Sequence, residues 1–234
     1  MTVHEIEERV RGLGDETAAR AARGFFKSGA SGRIGDDVFV GVKVPMLRQL
    51  LRDYQDISLK ETGKLLQSPL HEARLLAVLF LVRDYGRGDE TGRQRIYDLY
   101  LKSSLYVNNW DLVDASAAPI VGAHLVDRSR EPLVRLAAAT DLWERRIAII
   151  ATHHFIKQRD FADAFKVAEL LLSDKEDLIH KATGWTLREV GKRDAAAEEA
   201  FLADHYRRMP RTMLRYAIER FTEERRRRYL KGEI

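Results

Sequence analysis

Apolar residues recur along the chain at the three- and four-residue spacing of amphipathic helices, and strict two-residue alternation is rare. The pattern predicts a first helix opened by a capping box at Thr2–Glu5 and a second from Asp15 to Phe26. KSGASGRIGDD (27–37) interrupts the periodicity with glycine, serine and charge, and reads as a loop. FVGVKVP (39–45) leads out of it, with Pro45 as the first residue of a helix through Leu51. A second capping box, Ser58 to Glu61, opens the next helix. Further helices are expected around 71–84, 91–105, 109–125, 132–140, 143–156, 160–172, 176–192, 196–207, 211–220 and 221–230. The expected fold is all-α, a single domain over residues 1–234.

Many short helices with brief connections call for a search for repeats. EARLLAVLF (72–80), ERRIAIIAT (144–152), HKATGWTLR (180–188) and LRYAIERF (214–221) share a basic residue followed by an apolar, alanine-containing face. Taking Arg74, Arg146, Lys181 and Arg215 as equivalent gives steps of 72, 35 and 34 residues. Halving the first step puts a further repeat near position 110. A period near 35 suits stacked helical hairpins, each burying its faces against its neighbours. Such stacking would start the second helix of every pair on the same side. Arg74, Trp110, Arg146, Lys181 and Arg215 would then line one concave surface.

Composition removes several classes of chemistry. The chain has no cysteine, which excludes disulfides and thiolate catalysis. The N-terminus is charged from its fourth residue and does not read as a signal peptide. The longest apolar run, LLAVLFLV (75–82), is too short to span a bilayer, so a soluble, cytoplasmic protein with no membrane partner is expected. The seven histidines show no HExxH spacing, and neither a metal nor a cofactor is expected. GASGRIG (29–35) lacks the lysine of a phosphate loop, and no Gly-x-Ser-x-Gly elbow occurs. Forty Lys and Arg against 36 Asp and Glu leave a net charge of only +4. A case for nucleic acid therefore has to rest on how charge is distributed.

The most informative stretch is NNWDLVD (108–114). Asn108 and Asp111 have N-cap and N3 spacing, which gives Asp111 a capping role. Asp114 lies one turn after Trp110, on the same helix face. The spacing leaves two readings open. Trp110 packs in the core and Asp114 pairs with an arginine, or an indole and a carboxylate are presented together to a groove. Trp143 reads as core. Trp185 lies between Gly184 and Arg188, a neighbourhood that permits close approach of a ligand. Arg145, Arg146, Lys181 and Arg188 taken singly are ordinary surface charges; their shared repeat phase favours a phosphate-binding stripe. EERRRR (223–228) reads as an exposed face near the chain end.

FVGVKVPMLRQL near residue 40, NNWDLVD, WERRIAI (143–149) and HKATGWTLREVGK (180–192) together resemble the bacterial DNA alkylation repair glycosylases of the AlkD type. The resemblance covers roughly residues 15 to 220, and WDLVD and KATGWTLRE, its strongest motifs, keep their order. It implies a right-handed solenoid of HEAT-like antiparallel helix pairs with a concave basic groove. It also implies excision of N3- and N7-alkylated purines from double-stranded DNA. By position, Asp114 corresponds to the catalytic carboxylate, and Trp110 and Trp185 to aromatic residues flanking the damaged nucleotide's sugar. Arg146 and Arg188 correspond to backbone-binding bases, and the repeat phase adds Lys181 and Arg74. Where family members carry a lesion-facing tyrosine, this chain has Phe25-Phe26, so a hydroxyl-dependent contact there is in doubt.

That chemistry agrees with what the sequence lacks. Alkylation at purine N3 or N7 makes the base cationic, so it leaves without a proton. An ionised carboxylate and indole faces would stabilise the oxocarbenium-like sugar, without the paired acid and base of a glycoside hydrolase. No lysine near the motif suggests Schiff-base chemistry, so a monofunctional glycosylase acting as a monomer is expected. Two rivals use the same scaffold: a non-catalytic binder of distorted or branched DNA, and a protein-interaction scaffold.

Overall fold

The computed structural model describes residues 2–27 and 37–234, Lys27 by its backbone alone. The proposed loop at 27–37 therefore falls almost wholly outside the described residues. Two compact units partition the chain, Met1–Ile120 and Val121–Ile234. Among the described residues the architecture is all-helical, and the only strand-like pairing is one isolated parallel bridge between Val38 and Leu70.

The first unit comprises α1 (Val3–Gly12), α2 (Glu16–Lys27), α3 (Val44–Asp53), α4 (Leu59–Leu65), α5 (His71–Arg87), α6 (Glu90–Lys102) and α7 (Trp110–Ala117). Thr2 makes the capping box its sequence predicts. At α4 only half of the second box forms. Ser58 accepts from the Glu61 amide, while the Glu61 carboxylate turns to the Val3 N–H at 3.1 Å and ties α1 to α4. Helix α5 is apolar on nearly all sides, with Ala73 and Leu75 through Val78 buried, and α1, α3, α4, α6 and α7 pack around it. Leu65, Leu76, Phe80, Tyr100 and Leu112 fill this core.

The segment after residue 36 is pinned to the start of α5. Val38 N–H donates to Pro69 O at 3.0 Å and His71 N–H to Val38 O at 3.0 Å, while the Glu72 carboxylate takes the amides of Val40 and Gly41. Gly41 has φ +83° and lies so close to α2 that a Cβ would fall 2.6 Å from the Ala19 nitrogen, so only glycine serves there.

The second unit comprises α8 (Glu131–Ala137), α9 (Leu142–Ala151), α10 (His153–Lys157), α11 (Ala162–Leu170), α12 (Asp177–Gly191), α13 (Ala195–His205), α14 (Arg211–Ala217) and α15 (Glu223–Lys231). Helix α12 is its centre and packs on α9, α11, α13 and α14. In each unit the helices starting at the repeat positions stack in succession: α5 on α7, then separately α9 on α12 on α14.

Two helices are shorter than their periodicity suggests. The expected helix over 109–125 gives way to a π turn at Ala118–Gly122, where Pro119 has no N–H for the α-helical ladder. The expected helix over 143–156 breaks at Thr152, whose hydroxyl donates to Ile149 O at 2.6 Å.

Candidate functional site

Helix α7 begins one residue later than its motif suggests. Asn109, not Asn108, is the N-cap, and its side-chain oxygen accepts from Trp110 N–H at 2.8 Å. Asn108 is diverted because its side-chain oxygen accepts from Arg74 Nη2 at 3.2 Å. Asp111 caps only through the adjacent amide, taking Leu112 N–H at 2.9 Å, and its other oxygen meets His71 Nε2 at 2.8 Å.

That contact belongs to a buried charged layer under the start of α7. Asp37 Oδ2 accepts from Arg74 Nη2 at 2.6 Å and lies 3.5 Å from His71 Nδ1. Arg74 Nη1 also donates to Ser68 O at 2.9 Å. Burial alone would lower the His71 pKa, but the hydrogen bond to Asp111 and the nearby Asp37 carboxylate outweigh it and lift the imidazole to about 9. His71 is therefore a cation at neutral pH. Arg74 is 3% exposed, so burial takes it off the phosphate-binding stripe its repeat phase predicts. Its guanidinium holds the helix start together from inside.

Above this layer sits an aromatic cluster. Phe26 stacks on Trp110 with ring centroids 5.5 Å apart, and on Phe39 at 5.1 Å. Phe25 meets the Trp110 indole edge-on at 5.8 Å and is 64% exposed, the most exposed large apolar side chain among the described residues. Trp110 is half-buried, so it joins the core reading to the groove reading: its ring is packed on one side and reachable on another. Asp114, one turn on, is also half-buried. Beneath it the Tyr100 hydroxyl bonds Ser116 Oγ at 2.8 Å, and Ser116 donates to Leu112 O at 2.6 Å, which fixes α7 on α6. Burial raises the Tyr100 pKa, the Ser116 bond opposes this, and the negative charge of Asp114 adds to it.

In the second unit Lys181, Trp185 and Arg188 share one face of α12. The Trp185 ring stands edge-on to His153 at 4.7 Å, and its Nε1 donates to Glu189 Oε1 at 3.1 Å. Burial pushes His153 down to about 4, which leaves a neutral imidazole at 2.8 Å from Thr186 Oγ1. Burial would raise Glu189, but bonds from Lys192, Arg193 and Trp185 hold it at about 2. Lys181 pairs with Asp177 at 2.7 Å and Arg188 pairs with Glu219. Arg146 is 5% exposed and donates to Leu178 O at 2.7 Å, so like Arg74 it is built into the helix packing. Arg145 is likewise engaged, with Asp174 at 2.6 Å. Gly184 does not open space for a ligand. Its bare face receives α14, where a Cβ would lie 2.6 Å from Tyr216 Cβ. Trp143 is core, as expected.

Sequence spacing gives no hint of His71, Asp37 or His153, because their partners lie 33 or more residues away. Glu189 differs: Trp185, Lys192 and Arg193 stand three or four residues from it, on α12 or just past its end, a spacing that could have found it. Among the described residues no group of three His, Asp or Glu side chains is placed to hold a metal ion, and no helix is long and apolar enough to cross a membrane.

Residues 6–221 match the model of a family described as DNA alkylation repair enzyme. The chain belongs to that family. This alkylation repair enzyme is also similar in structure to a predicted DNA alkylation repair enzyme from Enterococcus faecalis, with a TM-score of 0.68. The two are 17% identical, and the match covers 90% of this chain and 98% of the other, which establishes a common all-helical fold. No curated protein matches the sequence. Membership of the family gives the enzyme a role in the repair of alkylated DNA.

Proposed function

We propose that this alkylation repair enzyme is a DNA glycosylase of the AlkD type, a hydrolase that releases cationic N3- or N7-alkylated purines from double-stranded DNA. The observation that carries the reading is the pairing of Trp110 with Asp114, one turn apart on a fixed helix and beside the exposed ring of Phe25. A cationic purine is already a good leaving group. The carboxylate of Asp114 offsets the positive charge that develops on the sugar, and the indole face of Trp110 attracts the same charge. Water completes the hydrolysis. Trp185 is assigned as a further aromatic contact to the sugar by the KATGWTLRE motif.

Contacts to the DNA backbone narrow to Lys181 and Arg188, because Arg74 and Arg146 are committed to internal partners. Ion pairs such as those with Asp177 and Glu219 can exchange a carboxylate for a phosphate. Phe25 presents an apolar ring to the lesion, without a hydroxyl. The enzyme acts without cofactor or metal, and as a monomer.

Incubation with methylated duplex DNA tests this. The expected products are free methylpurines and strands that carry abasic sites and break only on later alkaline treatment. Salt-sensitive binding with no base release, from an otherwise folded protein, would favour a binder of distorted DNA instead.

A further inference from the structure

The charged layer below the aromatic cluster has no part in the chemistry just described, yet it reaches Trp110 through neighbours by two separate routes. His71 Nε2 is bonded at 2.8 Å to Asp111, the residue that follows Trp110 on the first turn of α7. The His71 ring also lies 5.0 Å from Phe26, and Phe26 stacks on the Trp110 indole at 5.5 Å with 30° between planes. Phe39 backs this assembly, stacked on His71 at 4.6 Å and on Phe26 at 5.1 Å. An imidazolium set against aromatic faces gains from cation–π attraction as well as from its carboxylates.

We propose that the His71 imidazolium is a positioning residue for Trp110, fixing the indole through Asp111 at the start of α7 and through the ring of Phe26. This rests on the reading of Trp110 and Asp114 as the reaction centre. His71 touches neither the indole nor the substrate and acts through its neighbours.

Charge arithmetic gives the contact its sensitivity. Facing His71 are Asp37 from the segment before Val38, Asp111 from α7, and Arg74 from its own helix. Glu72 and Lys43 also line the adjoining cavity, but the Glu72 carboxylate is already taken up by the amides of Val40 and Gly41. With His71 protonated, two cations face two carboxylates. On deprotonation Asp37 keeps the Arg74 guanidinium, and a neutral imidazole that donates from Nε2 keeps its bond to Asp111 but loses the charge that strengthens it. The weakening at Asp111 loosens one of the two routes to the indole. Because the imidazole is lifted to about 9, this happens only above neutral pH.

The test uses the full chain labelled with 5-fluorotryptophan and followed by fluorine NMR from pH 7 to 10.5. The Trp110 resonance is identified by its disappearance in Trp110→Phe. It should move with a midpoint near 9, while the resonances of Trp143 and Trp185 stay in place, and His71→Gln should abolish the movement. Should His71→Gln fold poorly, Asp111→Asn provides the second arm. Loss of the carboxylate should bring the midpoint down by roughly one to three pH units. A Trp110 resonance that stays constant through pH 9 in the folded protein overturns the proposal. So does a titration that is unchanged in His71→Gln or Asp111→Asn. A protein that shows the titration yet releases no base at any pH removes the glycosylase reading and leaves the positioning of Trp110 standing. A protein that releases base with no Trp110 titration does the reverse.

Discussion

Arg74 offers a sharp contrast between a surface role and a buried one. Its guanidinium donates to Asp37 Oδ2 at 2.6 Å, Ser68 O at 2.9 Å and Asn108 Oδ1 at 3.2 Å, and its side chain is 4% exposed. Arg74→Met keeps the length and apolar stem but removes every donor. Three buried or partly buried oxygens lose a partner at once, and one of them is a carboxylate. Breaking a buried pair from one side costs about 3–5 kcal/mol, because the remaining charge stays in a poorly solvating site. For a chain of this size that is a fall in Tm of roughly 6–20 °C. Urea and thermal unfolding, followed by far-ultraviolet circular dichroism, measure it directly. The double variant Arg74→Met with Asp37→Leu should recover part of the loss, since the orphaned carboxylate is gone while Ser68 O, Asn108 Oδ1 and His71 still lack a neighbour. The same pair of proteins tests the surface alternative. If Arg74→Met unfolds within about 1 kcal/mol of the parent but flattens the salt dependence of DNA binding, the buried account is wrong and Arg74 is a phosphate ligand.

Gly184→Ala places a methyl group against Tyr216 and the Met213 carbonyl, and should destabilise by about 1–3 kcal/mol, whereas Gly86→Ala, with open space around its Cα on helix α5, should be neutral or slightly stabilising. Calorimetry on the two variants separates close packing from helix propensity, and equal effects would refute it. Glu198 is raised to about 8, chiefly by burial, with Glu199 adding to the shift and Arg188 opposing it. A raised folded pKa means that its contribution is complete below about 4.5 and is lost as pH climbs through about 8. Glu198→Gln should therefore match the parent at pH 4.5 and gain on it as pH rises, by an amount on the order of a few kcal/mol that levels off above pH 8. Parallel stability curves would contradict this.

The helical skeleton was legible because it depends on local signals. Capping at Thr2 and Ser58, Pro45 near a helix start and the spacing of apolar faces placed helices close to where they lie. The failures share a cause. Cap spacing is local and points to Asn108, but Arg74, 34 residues earlier in sequence, claims its oxygen. Repeat phase puts Arg74 and Arg146 on a phosphate-binding stripe, yet each reaches a buried acceptor on another element. The small Gly184 suggests room for a ligand, and the room is filled by α14. Burial and long-range partners decide all three, and neither is written in the spacing. Trp110 and Asp114 fared differently. Their helical spacing correctly put them on one turn of α7, and folding added the ring cluster and the charged layer that hold them there.

The central claim is that Asp114 stabilises a charge that appears only as the glycosidic bond breaks. Single-turnover base release from methylated duplex DNA, compared for the parent and Asp114→Asn alongside their affinities for the same DNA, tests it most directly. The account predicts a rate lower by roughly 10²–10³ in Asp114→Asn with binding changed only a few-fold, as expected for loss of an interaction made in the transition state. An Asp114→Asn protein that releases base at the parental rate, or a parent that binds the DNA and releases nothing, would contradict it.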